Sequence, residues 1–129
     1  MIIGIYRPPN AAKRWFDVFD LLLQDVSLLG PIVLLGDLNA NLMLPHTYPA
    51  NTLLNSLAQV NLEVCEVFPT RITSHSATCL DIIAIDKSLD CVEYSLDDCA
   101  ASDHFPIAAA IQVLSTTQPN LLLREITRI

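Results

Sequence analysis

The chain has no apolar run long enough to span a bilayer. Its longest blocks, around Leu21–Leu23 and Ile32–Leu35, are broken by Gln24, Asp25, Gly30 and Pro31, well short of the ~20 residues that a membrane helix requires. A secretion signal is missing as well. No basic residue precedes Met1-Ile2-Ile3-Gly4-Ile5-Tyr6, and Arg7-Pro8-Pro9 cuts the stretch off. Basic charge is scarce: 7 Lys and Arg stand against 14 Asp and Glu, a formal net charge of −7. This excludes broad electrostatic attachment to nucleic acid, which needs cations to displace counterions. It does not exclude chemistry on a phosphodiester, because carboxylates that hold a metal ion make a site acidic and the ion reverses the local sign. The four cysteines, at 65, 79, 91 and 99, form no Cys-x-x-Cys pair, and no histidine lies at ligand spacing from two of them. A structural zinc site is therefore not expected. Without a secretion signal they read as reduced thiols of a nuclear or cytoplasmic protein, most of them small core residues.

What is present is apolar. The 129 residues suit one domain, yet they are 52% hydrophobic with a mean hydropathy of +0.43, high for a soluble domain of this size. Such an excess points to a buried sheet, or to surface that another part of a larger protein covers. Ile2–Tyr6 reads as a strand that begins without lead-in, and Arg7-Pro8-Pro9 ends it, with Asn10 a good N-cap. A helix over Ala11–Leu29 follows, with Trp15, Val18, Phe19, Leu22, Leu23, Val26 and Leu29 on one stripe. Ile32–Leu35 is a buried strand. Asn41–Ala50 is a loop, Asn51 caps a helix from Thr52 to about Val60, and Glu63–Val67 alternates as a strand. Ile72–Thr78 is polar and hydroxyl-rich, Cys79–Ile85 is a strong apolar strand, and Cys91–Leu96 and Ile107–Val113 are further strands. Asp97–Ala101 is loop. From Ser115 the composition turns linker-like, so the domain reads as residues 1–114, with 115–129 a linker or short terminal segment that holds a short helix or a connecting stub.

The chain is organised around Leu35-Gly36-Asp37-Leu38-Asn39. An apolar strand that ends in Gly-Asp-x-Asn delivers a carboxylate and an amide at its mouth. If the backbone stays extended, Asp37 and Asn39 point the same way. The local alternative is an Asx-rich turn after a core strand. Asp81 is the second anomaly, a single charge inside Leu80-Asp81-Ile82-Ile83-Ala84-Ile85, costly to bury unless paired. Asp103-His104 and Tyr6-Arg7 stand at two further strand ends. Together these supply the parts of metal-assisted phosphodiester hydrolysis. They are an imidazole near neutral pH, a carboxylate to orient it, groups to place the water, and groups to hold a cation and neutralise charge.

The motifs Ile5-Tyr6-Arg7-Pro8-Pro9, Gly36-Asp37-Leu38-Asn39, Thr78-Cys79-Leu80-Asp81-Ile82-Ile83 and Ser102-Asp103-His104-Phe105-Pro106-Ile107 resemble, in this order, those of the endonuclease/exonuclease/phosphatase family. The Tyr-Arg-Pro-Pro form resembles the apurinic-type endonuclease domain of non-LTR retrotransposons, over about residues 2–113. The resemblance implies a four-layer α/β sandwich with the site at the strand ends between two sheets. It implies His104 as general base oriented by Asp81, Asp37 and Asn39 positioning water and phosphate and contributing to the metal site, and Asp103 binding Mg²⁺ or Mn²⁺. Tyr6, Arg7 and Arg71 are the implied phosphate or DNA contacts. The implied partner is DNA, nicked to prime a reverse transcriptase encoded downstream; a membrane is not among the partners.

Two departures bear on this. The family's early Asn and metal-binding Glu have no counterpart, since Glu63, Glu66, Glu93 and Glu125 stand in no such motif. Pro9 also replaces an Asn common in relatives, as it does in the retrotransposon branch. The expectation is a partial sandwich: mainly one mixed sheet with helices on its outer face, the N-terminal half missing, the inner face uncovered and the chain inactive alone. A non-catalytic remnant that needs a partner half, and a phosphoesterase acting on a small phosphoester, remain alternatives.

Overall fold

The computed structural model describes residues 1–97 and 102–113, and the backbone of 121–126. Cys99, most of the expected 97–101 loop and the start of the linker-like tail lie outside the described residues. In chain order the elements are β1 (Ile2–Tyr6), α1 (Arg14–Ser27), β2 (Val33–Asp37), α2 (Ala50–Gln59) and β3 (Leu62–Val64). They continue with β4 (Arg71–Ile72), β5 (Ala77–Thr78), β6 (Asp81–Asp86), β7 (Asp90–Leu96), β8 (Ile107–Val113) and β9 (Leu121–Ile126). No helix among the described residues is long and apolar enough to cross a membrane.

The main sheet has the order β1-β2-β6-β3. It is mixed: β1 runs parallel to β2, while β6 is antiparallel to β2 and to β3. Both faces of its central strands are covered, which explains why they read as apolar without alternation. Leu34, Ile82 and Ala84 point to the side of α1 and α2, packing with Phe16, Phe19, Leu23, Leu53 and Leu57. Val33, Ile83 and Ile85 point the other way, onto Leu89 and onto Ile107, Ala109 and Ile111 of β8. The chain is thus α/β, with helices, a mixed sheet and a second sheet stacked as layers of a partial sandwich.

That second sheet, ordered β7-β8-β9, corrects the expectation of an uncovered inner face. The segments after β6 fold back over the sheet instead of extending its edge. Its third member replaces the expected terminal helix: β9 pairs antiparallel with β8 over Leu121–Ile126, where the free edge of β8 satisfies its backbone groups. The polar 72–78 stretch is a small hairpin, β4 against β5.

The helices differ from expectation in their ends and in one face. Neither is capped by the expected asparagine. The N-cap positions are Lys13 and Pro49, and neither offers a side-chain cap. In α1 the buried positions are Phe16, Phe19 and Leu23, whereas Val18, Leu22 and Leu29 of the expected stripe are exposed, with Leu21 and Leu28 beside them. The apolar surface of α1 is wider than one core can bury. Part of it forms a shallow groove with Gly4, Ile5 and Tyr6 of β1, which is an edge strand. Asn61 takes the left-handed conformation after α2 (φ 62°), a role that suits asparagine.

Gly36 fixes the distance between β1 and β2. A Cβ placed there would stand 1.7 Å from the Ile5 carbonyl oxygen and 2.8 Å from its carbon, so no side chain fits without moving a backbone. Replacing Gly36 with Ala should part the two strands and cost about 2–3 kcal/mol. A urea titration of the two proteins measures this; equal midpoints would refute the steric account.

Candidate active site at the mouth of the main sheet

Strand register does most of the assembly. Tyr6 pairs with Asp37 and Asp37 with Asp81, so the last residue of β1, the last of β2 and the first of β6 stand in one row. In-register neighbours share a face, here the one turned toward the second sheet. Asp37 is 7% exposed and Asp81 1%, while Tyr6, beyond the cover of the second sheet, is 60% exposed. His104, just before β8, enters from that sheet. Its Nδ1 lies 2.6 Å from Asp81 Oδ2. One ligand atom from each of Asp37, Asp81 and His104 falls within a 4.8 Å group. Two carboxylates opposite each other in a ladder repel, and burial removes the water that would screen them. The imidazole on Asp81 offsets part of that cost by a short, charge-assisted bond. A ring that donates Nδ1–H to Asp81 presents Nε2 as its acceptor.

Asn39 reaches the mouth by a different route from the one expected. The extended chain ends at Asp37: Leu38 is buried in the helix-side core and Asn39 is left-handed (φ 46°). The turn is fastened from within, as the Asn39 N–H donates to Asp37 Oδ1 at 3.1 Å, so the Asx-turn alternative describes the backbone. The Asn39 amide Nδ2 donates to the Arg7 carbonyl at 2.7 Å. Arg7 returns the contact. Its Nη1 donates to the carbonyls of Leu38 (3.4 Å) and Asn39 (3.2 Å), and its guanidinium lies 5.2 Å from the Phe16 ring centroid and 5.7 Å from that of Trp15. Arg7 is 2% exposed. In this structure it is a buried fastener of the Asp37–Asn39 turn, with its charge spread over aromatic faces.

Asp103 and Arg71 sit together at the rim. Arg71 Nε donates to Asp103 Oδ2 at 2.8 Å, and the Arg71 guanidinium holds the exposed Asp103 carboxyl below the usual carboxylate range. Asp103 is therefore adjacent in sequence to His104 but outside the Asp37–Asp81–His104 group.

Thr70 was not singled out by sequence reasoning. Fully buried, it accepts the N–H groups of Leu80 and Asp81 on one hydroxyl, each at 3.0 Å. Its carbonyl accepts the Phe105 N–H at 2.7 Å and its own N–H donates to Thr78. It thus ties the start of β6 to the segment that carries His104. A threonine in Pro-Thr-Arg carries no pattern that reveals this; only the fold brings residues 70, 81 and 105 together.

The donor set is hard oxygen plus one imidazole already engaged by Asp81, which suits a divalent cation held mainly by carboxylates. Two buried acids and a histidine thus converge at strand ends between two sheets. No protein-family model and no curated protein matches the chain. Among solved structures, the endonuclease domain of TRAS1, a telomere-specific non-LTR retrotransposon, is similar at a TM-score of 0.61 and 18% identity, over 78% of this chain and 50% of that one. An endonuclease/exonuclease/phosphatase family protein from Bacteroides thetaiotaomicron gives 0.59 and 16%, over 84% and 48%. An endonuclease/exonuclease/phosphatase from Beutenbergia cavernae DSM 12333 gives 0.53 and 18%, over 74% and 36%. The fold is that of the endonuclease/exonuclease/phosphatase proteins, and the chain spans half or less of the length of these structures.

Two expectations follow. Thr70→Val keeps the shape but leaves the Leu80 and Asp81 N–H groups without their acceptor, and should cost about 2–4 kcal/mol; Thr70→Ser should recover most of it. Chemical denaturation checks both. Separately, burial pushes the Cys79 thiol up to about 11, with the Asp81 carboxylate adding to the effect against a hydrogen bond from the Phe68 backbone. The folded state favours the neutral thiol, so this contribution is fully present below pH about 9 and is lost as pH rises toward 11. The melting temperature should fall over that window, and less steeply in Cys79→Ala.

Proposed function

We propose that the chain carries a metal-assisted phosphodiester-hydrolysing site that acts on DNA. Its nearest chemistry is target-site nicking by a non-LTR retrotransposon in the nucleus, with the nicked strand priming a reverse transcriptase. The observation that carries the reading is the convergence of Asp37, Asp81 and His104 within 4.8 Å at the mouth between the two sheets. The likeness to the TRAS1 endonuclease domain supports DNA over other phosphodiesters.

In this reading His104, held by Asp81, takes a proton from the attacking water through Nε2. Asp37 and Asn39 place the water and the scissile phosphate. Tyr6, exposed at the end of β1, contacts the phosphate, and Arg71 lies at the rim where the backbone of the nucleic acid passes. Asp37 and Asp81 would hold Mg²⁺ or Mn²⁺, with Asp103 as a further carboxylate nearby. Such an ion polarises a phosphate oxygen and stabilises the charge that develops on it. Two carboxylates make a thin shell for Mg²⁺, so the chain alone binds the ion weakly and turns over little.

Manganese titration followed by electron paramagnetic resonance tests the site. Specific binding should weaken at least about tenfold in Asp37→Asn; binding indifferent to that change would sink the reading. Supercoiled plasmid with Mg²⁺ tests the activity. Nicking should stay close to background, and whatever is present should vanish in His104→Ala. Robust nicking abolished by that substitution would keep the chemistry and overturn the incompleteness of the site.

A further inference from the structure

Outside the Asp37–Asp81–His104 group, two thiols line one cavity between the layers. Cys65 follows β3 and extends its pairing, donating its N–H to the Ile83 carbonyl at 2.8 Å. Cys91 belongs to β7 of the second sheet. It sits where the β7–β8 register shifts, between Cys91 and Glu93, and its Sγ lies 3.5 Å from the Glu93 carbonyl oxygen. Both side chains pack against the inter-sheet core, and both line one cavity of about 200 Å³ with Glu66, Phe68 and Tyr94. The cavity thus brings the two thiols to one space between the layers. Both cysteines are half-buried and unbridged.

We propose that Cys65 and Cys91 are a redox pair that closes to a disulfide between the two sheets. A sheet sandwich accommodates such a bond when the two Cα atoms are within about 7 Å, and two cysteines that line one cavity from facing layers are placed to form it. The cavity gives a small oxidant access. Burial, the Cys91 thiol and the Glu63 and Glu66 carboxylates push the Cys65 thiol up, so Cys65 rests as a neutral thiol and not as an exposed thiolate. With glutathione disulfide as oxidant, the sulfur of Cys91 loses its proton and attacks one glutathione sulfur. A mixed disulfide forms and one glutathione leaves. The sulfur of Cys65 then loses its proton, attacks Cys91 Sγ and expels the second glutathione. The two protons end on the two glutathione thiols; two electrons pass from the protein to the glutathione disulfide. The bond closes residues 65–91 into a loop that contains Thr70, Arg71 and Asp81, so oxidation secures the segment that frames the mouth.

The test uses the whole chain in glutathione buffers of rising oxidised fraction. Free thiols are blocked afterwards, and intact mass and a non-reducing peptide map are read. The expected result is loss of two hydrogens, a peptide joined through Cys65 and Cys91, and a melting temperature about 5–10 °C higher than that of the reduced protein. Cys65→Ser should stop at the mixed disulfide on Cys91. Two alkylatable thiols at 65 and 91 after full oxidation, or a link through Cys79 or Cys99 in their place, would overturn the proposal. The wild-type map decides this by itself, whether or not the variant folds well.

Discussion

Two aspartates face each other across β2 and β6, both withdrawn from water. A sheet does not place like charges opposite one another in its interior without compensation. Much of what surrounds them reads as that compensation. His104 comes from the other sheet to bond Asp81. The Asn39 N–H turns back to Asp37. A divalent cation or a phosphate-bound water network would complete the balance, which is why the same pairing that burdens the fold makes chemistry available at its edge.

The supports of this pair are unlike each other. On the β2 side, Arg7 and Asn39 exchange hydrogen bonds, and the aromatic rings of α1 cover the guanidinium. A buried cation is thereby fixed against the Asp37–Asn39 turn. On the β6 side, one neutral hydroxyl, that of Thr70, takes two backbone donors. Charge at a distance thus supports one flank and local hydrogen bonding the other.

Much of this was legible in the sequence. The apolar run ending in Gly-Asp, and a lone charge inside Leu80–Ile85, marked Asp37 and Asp81 because a buried charge is rare enough to need a reason. Ser-Asp-His before an apolar run marked His104. What failed did so where tertiary context decides. Asn39 is left-handed, so an alternation rule for strands did not apply to it. The burial of Arg7 was not legible because sequence does not reveal that Trp15 and Phe16 fold over it. Val18, Leu22 and Leu29 matched a helical stripe, but α1 is apolar on more of its circumference than the sheet can cover. In the second sheet β7 and β8 were readable as strands but not as a layer, since nothing local says where a strand packs.

The place of β6 also orders assembly. It lies between β2 and β3 and contributes to both cores, yet its residues come late in the chain. On a polypeptide emerging N-terminus first, β1, α1, β2 and α2 can associate through near neighbours. Among the described residues β3 has no partner strand until β6 inserts. Such a distant pairing is slow to find because a long loop must close first. Until it does, Asp37 remains in water and meets no second carboxylate. The acidic mouth is thus completed by a distant pairing and not by near neighbours, so the half-formed chain does not yet hold its two carboxylates together.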